Sequence, residues 1–565
     1  MALREYDPVS ADFATSESTA DAGGRLRAIA VDVRRFPWIR PLAGVYAHDF
    51  QQIAPLYAGN PDEADAWRDA VARAQAHPRD RAAIARIVAG QQEARGAPPE
   101  ARAAAARLAD PSTVAVVTGQ QAGAFGGPLF TLLKAITALQ LARRTAEKQH
   151  VPAIAIFWVD AEDHDWEEVR ACTVLDAEFQ PRTVTLDAPE GAGERPIAAL
   201  TLDDRVGRTI EELRSTLAPT EFTADVVNAL AASWRAGAGM GRAFARWLEQ
   251  VLGPYGLVVF ESADPAAKPL AAGVFTRELT TPGRTAALAE EAGKALAARG
   301  HQPQVVPQPD SLALFRIDGV RRPLRRQGNA FAAGETAFSL DSLAADAAQR
   351  PALFSPNVLL RPIVQDTLFP TICYVAGPSE LAYLGQLRGV YEQFGVPMPL
   401  MFPRATATIL DSAATRFLTK YGLPLEELQQ HDESALNRLL ASQLPKSVEA
   451  SLRDASDQLQ RAMQRVIEAM PALDPTLAGA ARTTLGKMEH DLRSLHQKAI
   501  HAAKRRDETL RRQFTRAQAQ AFPLGHPQER TLGCVYFLNR FGPGMVQTLM
   551  EELPLELGTH WILTL

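Results

Sequence analysis

Short apolar runs alternate with helical patterns over the first four hundred residues of the chain. Residues 113–118, T-V-A-V-V-T, form a β-branched run that predicts a strand buried on both faces. Residues 129–144 carry apolar side chains at helical spacing, and 153–159 form a second apolar run. Strand, helix and strand in this order predict a βαβ unit with a right-handed crossover.

A helical stretch precedes this unit, and further predicted strands follow it. An Ala- and Arg-rich stretch, 61–110, is helical in character. Further strands are predicted at 256–260, 312–317, 371–376 and 398–402. We therefore predict an α/β fold with a mostly parallel, helix-covered sheet. Two stretches interrupt the alternation, about 175–236 and 319–341, and we expect both to be insertions.

A heptad pattern marks the region near the C-terminus. Its positions are Leu452, Leu459 and Val466, with Ala455, Ala462 and Ala469 between them, and then Leu485, Met488, Leu492, Leu495, Ala499 and Ala502. The proline-containing segment 470–475 separates the two halves, which predicts an antiparallel helical hairpin with alanine in its seam. Such an arm either forms a dimer or covers the sheet of its own chain. The expected domains are a core at 1–430, an arm at 431–520 and a segment at 521–565 that returns to the core.

Composition narrows the class of protein. The 565 residues are 46% hydrophobic and 22% charged, with a net charge of -5. This balance is typical of a globular protein and argues against nucleic-acid binding through a global basic field. Residues 1–10 lack the apolar core of a signal peptide, and no apolar run approaches the roughly 18 residues of a membrane helix. The three widely spaced cysteines favour a reduced cytoplasm and buried, unreactive thiols.

A glycine-rich segment, 119–128, lies between the first predicted strand and helix. Its glycines Gly119, Gly126 and Gly127 would allow close backbone approach, and the helix N-terminus attracts anions. The segment matches neither a P-loop nor G-x-G-x-x-G. Gln120 and Gln121 add neutral donors and acceptors, and Lys134 is placed to reach back towards an anion. A tight turn with structural glycines explains the same residues equally well.

An acidic segment, A-E-D-H-D-W-E-E at 161–168, follows the second predicted strand. We expect His164 to act as a general base, and Asp163 and Asp165 to hold a metal ion or an ammonium group. Glu162 and Trp166 flank them as binding candidates. The alternative is an acidic N-cap cluster with a surface histidine.

A third polar segment runs from 361 to 383. Arg361 offers a planar fork for a carboxylate or phosphate, and Gln365 with Asp366 could orient a hydroxyl-rich substrate. Glu380 is a candidate if its side chain points into the cleft. Arg404, after another predicted strand, is a second anion-binding candidate, with a surface arginine as the alternative.

Five ordered motifs together resemble the bacillithiol biosynthesis cysteine-adding enzymes (BshC). They are G-Q-Q-A-G-x-F-G-G-P from Gly119, F-W-V-x-x-E-D-H-D-W-E-E from Phe157, R-P-x-x-Q-D-x-L-F-P-T from Arg361, A-G-P-x-E-x-A-Y from Ala376 and P-x-G-x-x-Q-E-R from Pro523. The resemblance spans nearly the whole chain from about residue 113 onward, whereas 1–110 carries little of it.

The resemblance implies a Rossmann-like core with connecting-peptide insertions and a coiled-coil domain that supports a homodimer. The implied activity joins the carboxyl group of cysteine to the amine of glucosaminyl malate, which is the last step of bacillithiol formation. ATP, with Mg²⁺ as a possible companion, is the implied source of activation. The implied roles are an activated carboxyl group or nucleotide at Gln120, Gln121 and the glycines, amines at 163–165, and malate carboxylates at Arg361 or Arg404.

Three other functions are compatible with parts of the pattern. One is another Rossmann-type nucleotide-dependent ligase or nucleotidyltransferase with a different acid. A second is a metal-dependent hydrolase centred on 163–165, although no H-x-H or H-E-x-x-H spacing supports it. The third is a coiled-coil scaffold without catalytic activity, which leaves the clustered polar strand ends unexplained.

Overall fold

The computed structural model describes residues 26–308, 310–328, 330–429, 433–442, 446–506 and 508–565. Residues 1–10, in which we expect no signal peptide, lie outside this description. The chain divides into two compact units, Met1–Ile409 with Pro527–Leu565, and Leu410–His526. The expected arm, 431–520, falls within the second unit.

The strands of the described residues are β1 (Arg27–Asp32), β2 (Val114–Gln121), β3 (Ala153–Asp160), β4 (Ala171–Leu175), β5 (Pro181–Thr185), β6 (Leu257–Glu261), β7 (Ser311–Asp318), β8 (Val320–Gln327), β9 (Ala330–Ala333), β10 (Thr336–Phe338), β11 (Phe354–Pro356), β12 (Thr371–Ala376), β13 (Leu400–Pro403), β14 (Thr406–Leu410) and β15 (Thr559–Thr564).

The α-helices are α1 (Pro41–His48), α2 (Ala64–Ala76), α3 (Arg81–Arg95), α4 (Pro99–Ala106), α5 (Leu129–Gln149), α6 (Trp166–Val169), α7 (Arg205–Thr216), α8 (Thr223–Ser233), α9 (Met240–Leu252), α10 (Lys268–Thr280), α11 (Arg284–Ala298), α12 (Leu340–Gln349), α13 (Arg361–Leu368), α14 (Leu381–Leu384), α15 (Arg388–Phe394), α16 (Ser412–Tyr421), α17 (Ser434–Ser442), α18 (Lys446–Ala469), α19 (Leu477–Arg506), α20 (Glu508–Ala521), α21 (Gln528–Thr531), α22 (Cys534–Phe541) and α23 (Gly544–Glu552).

The centre of the first unit is a five-stranded, all-parallel sheet in the order β13-β12-β2-β3-β6. Successive side chains of β2 and β3 enter two different hydrophobic cores, because alternate residues of a strand face opposite sides of a sheet. Ile156, for example, lies in one core and Phe157 in the other. The predicted Rossmann-like fold with a βαβ unit is confirmed.

One predicted strand forms but belongs to a different sheet from the one we expected. The predicted strand at 312–317 exists as β7, but it belongs to a separate antiparallel sheet in the order β10-β9-β8-β7-β11. The expected insertion at 319–341 supplies three of its five strands, since β8, β9 and β10 follow β7 through tight connections, and β11 pairs with the other side of β7. The other expected insertion, 175–236, contains the β4–β5 hairpin's second strand and helices α7 and α8.

The C-terminal segment returns to the first unit and is held there by buried polar contacts. β15 pairs with β1 along its full length. The carboxylate of Glu529 accepts hydrogen bonds from both terminal nitrogens of Arg404, at 2.9 and 2.7 Å. It also accepts one from the backbone N–H of Ala407 at 3.0 Å. Gln528 exchanges two hydrogen bonds with the backbone of Ile409, at 2.7 and 2.6 Å.

The second unit contains the predicted antiparallel hairpin, formed by α18 and α19. Side-chain contacts cross between them from Gln460 to Glu489, at 3.0 Å, and from His496 to Glu449, at 3.0 Å. The expected alanine seam is wrong, because Ala455 and Ala462 are exposed. The inward positions of the pair are instead Leu452, Leu459, Met463, Ile467, Leu485 and Leu492.

None of the helices in the described ranges is long and apolar enough to cross a membrane.

We predict that Arg404→Gln destabilises the first unit strongly. The side chains of Arg404 and Glu529 are only 2% and 7% exposed, so the substitution leaves a buried carboxylate without its cation. Breaking a buried pair in this way costs about 3–5 kcal/mol. Urea unfolding of the variant measures the loss.

Lys294→Gln is the matched control, because Lys294 pairs with Glu290 at the surface with 76% and 58% of the side chains exposed. Such an exposed helix pair contributes little to stability, because solvent screens it. Equal unfolding free energies for both variants would show that the Arg404–Glu529 pair does not hold the C-terminal segment.

Candidate active site at the carboxyl edge of the parallel sheet

The glycine-rich and acidic segments meet at one edge of the sheet. β2 and β3 are parallel and in register, so that Gln120 lies opposite Val159 and Gln121 opposite Asp160. The two glutamines are therefore the last residues of a strand and do not belong to a loop. Open α/β sheets bind their ligands at this carboxyl edge.

Lys134 reaches back from α5 to this edge, as its position predicts. Its ammonium group donates to the carbonyl oxygen of Gly119 at 2.9 Å and to Oε1 of Gln120 at 3.2 Å, and it pairs with Glu380 at 2.6 Å. Burial lowers the pKa of Lys134, and the Glu380 carboxylate opposes that effect. The anion that Lys134 meets is thus a carboxylate of the protein itself.

Glu380 does point into the edge, on the segment that follows β12. Burial acts to raise its pKa, but the charge and hydrogen bond of Lys134, the backbone N–H of Gly377 and the charge of Arg361 together hold the pKa below its usual range. The hydroxyl of Tyr383 donates to Oε1 of Glu380 at 3.3 Å. Lys134 and Glu380 therefore form a closed ion pair that organises the ends of β2 and β12.

Arg361, the first residue of α13, lies beside this pair. Its guanidinium donates to Tyr383 Oη and to Gln365 Oε1, each at 3.2 Å, and stacks 5.6 Å from the ring centre of Tyr374. Its Nε is 3.9 Å from Oδ2 of Asp160. Burial acts to lower the pKa of Arg361, but the surrounding tyrosines and carboxylates raise it well above its usual value. Arg361 is therefore a permanent cation at the edge.

Asp160 is a site residue that the sequence analysis missed, because it ends an apolar strand and precedes the more conspicuous acidic cluster. Burial raises the pKa of its carboxyl group, and Arg361 opposes that rise. About 30% of the side chain is exposed.

Asp163 and His164 contact each other. Arg321, a second residue that the sequence did not reveal, contacts Asp163. Oδ1 of Asp163 accepts from the backbone N–H of His164 at 2.8 Å and lies 3.1 Å from His164 Nδ1. Arg321, on β8, donates to the same oxygen at 3.2 Å. The sequence signal for Arg321 is the basic stretch R-R-P-L-R-R at 321–326, within the expected insertion at 319–341.

Three predicted residues of the acidic segment have structural roles that replace the expected ones. Asp165 caps α6, accepting from the backbone N–H of Glu168 at 3.1 Å, so the N-cap alternative is correct for it. Glu162 is buried and pairs with Lys268 at 2.7 Å. Trp166 is 3% exposed. Within the described ranges, no three His, Cys, Asp or Glu side chains are grouped so that they could hold a metal ion.

Gln365 and Asp366 are buried, so their side chains are not open to a hydroxyl-rich substrate in the way we expected. Both are 1% exposed on α13. Asp366 accepts from the hydroxyl of Tyr391 at 2.5 Å and from Nε2 of Gln365 at 2.9 Å. Gln365 acts on the site through Arg361, whose guanidinium it orients.

Arg404 is neither a surface arginine nor an open anion site, because Glu529 neutralises it. The neighbouring Arg530 is exposed, and its guanidinium lies 5.9 Å from the ring centre of Phe130, one helical turn before Lys134. Its motif, Q-E-R, was noted in the sequence without a role for the arginine.

The glycine loop is packed inside the protein and does not fit a phosphate group. A Cβ atom on Gly126 would lie 2.3 Å from the Trp247 ring. The carbonyl oxygen of Gly127 accepts from Cys534 N at 2.8 Å, and the first amide of α5, at Leu129, donates to the carbonyl oxygen of Leu532 at 2.9 Å. The tight-turn alternative is therefore correct for Gly126 and Gly127. This loop is not proposed to hold ATP.

The cysteines Cys172, Cys373 and Cys534 are free and buried, as predicted. Burial raises the pKa of Cys172 to about 12. The protein's own thiols are thus protonated at neutral pH.

Comparison with known proteins agrees with this architecture. Residues 29–405 match the family model described as "Bacillithiol biosynthesis BshC, N-terminal Rossmann-like domain", and 407–565 match "Bacillithiol biosynthesis BshC, C-terminal coiled-coil domain". A protein of Salinibacter ruber is 33% identical over 521 residues, covering 92% of this chain and 95% of its own. One from Solibacter usitatus is 33% identical over 463 residues, covering 81% and 86%. Both are named "Putative cysteine ligase BshC".

The two family models together cover almost all of the described chain, and they divide it close to the boundary between the compact units at residue 409. The Rossmann-like sheet and the helical hairpin occur in the order that the models describe. This chain therefore belongs to the bacillithiol biosynthesis BshC family.

Proposed function

We propose that this protein is a ligase that joins the carboxyl group of L-cysteine to the amine of glucosaminyl malate, forming bacillithiol. The names of its relatives support a cysteine ligase. The observation that carries the proposal is the connected polar set at the carboxyl edge of the sheet, where Lys134, Glu380, Tyr383, Arg361 and Asp160 contact one another in sequence. This arrangement offers both a cation and a carboxylate to a substrate that is itself an acid and an amine.

Arg361 is the proposed partner of a malate carboxylate. It stays protonated over the physiological range, and its guanidinium is oriented by Gln365 and Tyr383 before any ligand binds. A planar, pre-oriented guanidinium suits bidentate recognition of a carboxylate. Arg404, the other candidate, already has a carboxylate partner in Glu529.

The remaining groups of the edge have proposed supporting roles. Gly119, Gln120 and Gln121 border the strand end at which the activated carboxyl group would lie. Asp163, held by Arg321, and the adjacent His164 would lie near the amine. The thermodynamics of amide formation from a free carboxylate require activation, so we propose ATP, bound with Mg²⁺, as the second substrate. A reduced cysteine substrate supports a reaction in the cytoplasm.

Mass spectrometry tests the proposed reaction directly. The purified protein is incubated with cysteine, glucosaminyl malate, ATP and Mg²⁺, and a parallel reaction omits ATP. We expect bacillithiol only in the complete reaction. Because Arg361 is the proposed partner of a malate carboxylate, Arg361→Gln should lower kcat/KM at least about 30-fold, which corresponds to about 2 kcal/mol.

Arg102→Gln is the control, since this exposed arginine lies on α4, away from the edge. Its kcat/KM should equal that of the unchanged protein. If folded protein forms no bacillithiol in the complete reaction, the proposal fails, and another nucleotide-dependent ligase of the same fold becomes the better hypothesis.

We also propose that the helical arm forms a homodimer. The seam between α18 and α19 uses one face of each helix, and it leaves Met488 and Leu495 on α19 exposed by 42% and 54%. These two residues are seven apart, so they lie on one stripe of the helix. Val466 on α18 is also exposed, by 37%. An apolar stripe at heptad spacing fits a second copy of the same arm.

The double variant Met488→Glu with Leu495→Glu should therefore convert a dimer into a monomer. The physical reason is that carboxylates would be buried in the apolar interface. Light scattering coupled to size-exclusion chromatography gives the mass of each species. Gln497→Glu, an exposed position on the same helix, is the control and should stay dimeric. A monomeric unchanged protein, or a dimeric double variant, would contradict this interface.

A further inference from the structure

Asp160 differs from the other carboxylates near the edge in what it contacts. In the parts of the chain that the structure describes, no hydrogen bond reaches its oxygens, and its nearest cation, Nε of Arg361, is 3.9 Å away. That distance is too long for a hydrogen bond. Its side chain is nevertheless 30% exposed, at the last position of β3.

The neighbouring carboxylates each already have a cation or an N–H donor, and the one oxygen among them known to lack a hydrogen bond, Oε2 of Glu162, is buried. The pairs are Glu162 with Lys268, Asp163 with Arg321, Asp165 with the amide of Glu168, Glu168 with Gln121, Glu261 with Arg95 and Glu380 with Lys134. A largely buried carboxylate without hydrogen bonds is costly, and the cost is removed when a donor arrives. Asp160 thus lacks a donor that a ligand can supply.

We propose that Asp160 binds the amine of the acceptor sugar and takes its proton during the reaction, the role that we expected of His164. This inference rests on the proposed ligase function. His164 is the weaker candidate because its Nδ1 already lies 3.1 Å from Asp163, and 41% of its side chain faces solvent.

The charges around Asp160 suit this role. Arg361 from α13 and Arg321 from β8 face it as cations, whereas Glu162 and Asp163 face it as anions from the segment after β3. Burial raises the pKa of Asp160, which makes the carboxylate a stronger base than an exposed aspartate. Arg361 keeps the ionised form populated.

The step balances in atoms and electrons. Cysteine's carboxyl group enters as an acyl phosphate or acyl nucleotide, formed with the nucleoside triphosphate that the proposed function includes. The amine nitrogen attacks the acyl carbon, and a C–N bond forms. The C–O bond to the phosphoryl oxygen breaks, and its electron pair leaves with inorganic phosphate from an acyl phosphate, or with the nucleoside monophosphate from an acyl nucleotide. The proton from the amine moves to Oδ of Asp160.

Asp160→Asn tests the inference, because it keeps the shape and removes the base. We expect kcat to fall about 10²–10⁴-fold, with an unchanged melting temperature. The activity of the unchanged protein should decline at acidic pH as Asp160 becomes protonated, and this decline should be absent from the residual activity of the variant. Asp160→Glu should recover part of the rate. Asp318→Asn, an exposed aspartate at the end of β7, is the control and should retain full activity.

Calorimetric binding separates this inference from the proposed function. Glucosaminyl malate should bind Asp160→Asn at least about 10-fold more weakly than the unchanged protein, whereas glucosyl malate, which lacks the amine, should bind both equally. This binding pattern without any product would refute the ligase function and retain the amine site. Equal binding of glucosaminyl malate to both proteins, no binding to either, or a normal rate and pH profile for Asp160→Asn would overturn the inference.

Discussion

The burial of a parallel sheet on both faces is the constraint on which the rest of this structure depends. Strands such as β2 and β3 carry apolar side chains on both sides, and helices cover both faces. Polar groups can therefore reach a ligand from these strands only where they end. At the carboxyl edge the backbone and side chains emerge together, and Lys134, Glu380 and Arg361 are drawn into one network there.

Most charges near this edge are used to stabilise the protein itself. Arg404 with Glu529 and Lys268 with Glu162 are closed pairs whose removal would leave a buried charge. The groups that we propose to contact the substrate are those outside such closed pairs. Arg361 has an orientation imposed by its neighbours, and Asp160 has open lone pairs. The division between paired and unpaired groups, rather than the density of charge, locates the candidate chemistry.

The antiparallel sheet and the C-terminal segment show how distant parts of the chain complete one edge. Arg321 comes from β8, in a sheet of its own, and still contacts Asp163. The segment at 532–534 covers the glycine loop and the start of α5. Its hydrogen bonds occupy the first amide of α5 and the carbonyl oxygen of Gly127, so this amide is not available to an anion. Arg530, next to the buried Arg404–Glu529 pair in the same C-terminal segment, places its guanidinium over the ring of Phe130.

The sequence by itself determined the local structure and its order. Apolar periodicity predicted the βαβ unit, and heptad spacing predicted the hairpin, because both depend on which neighbours along the chain share a face. It also placed Lys134 at the edge. Only the tertiary structure decided which charges are closed into buried ion pairs. Arg404 and Arg361 look alike in sequence, but Glu529 neutralises Arg404, whereas Gln365 and Tyr383 orient Arg361. For the same reason, the sequence could not show that β7 belongs to another sheet, or that Asp160 receives no hydrogen bond within the described ranges.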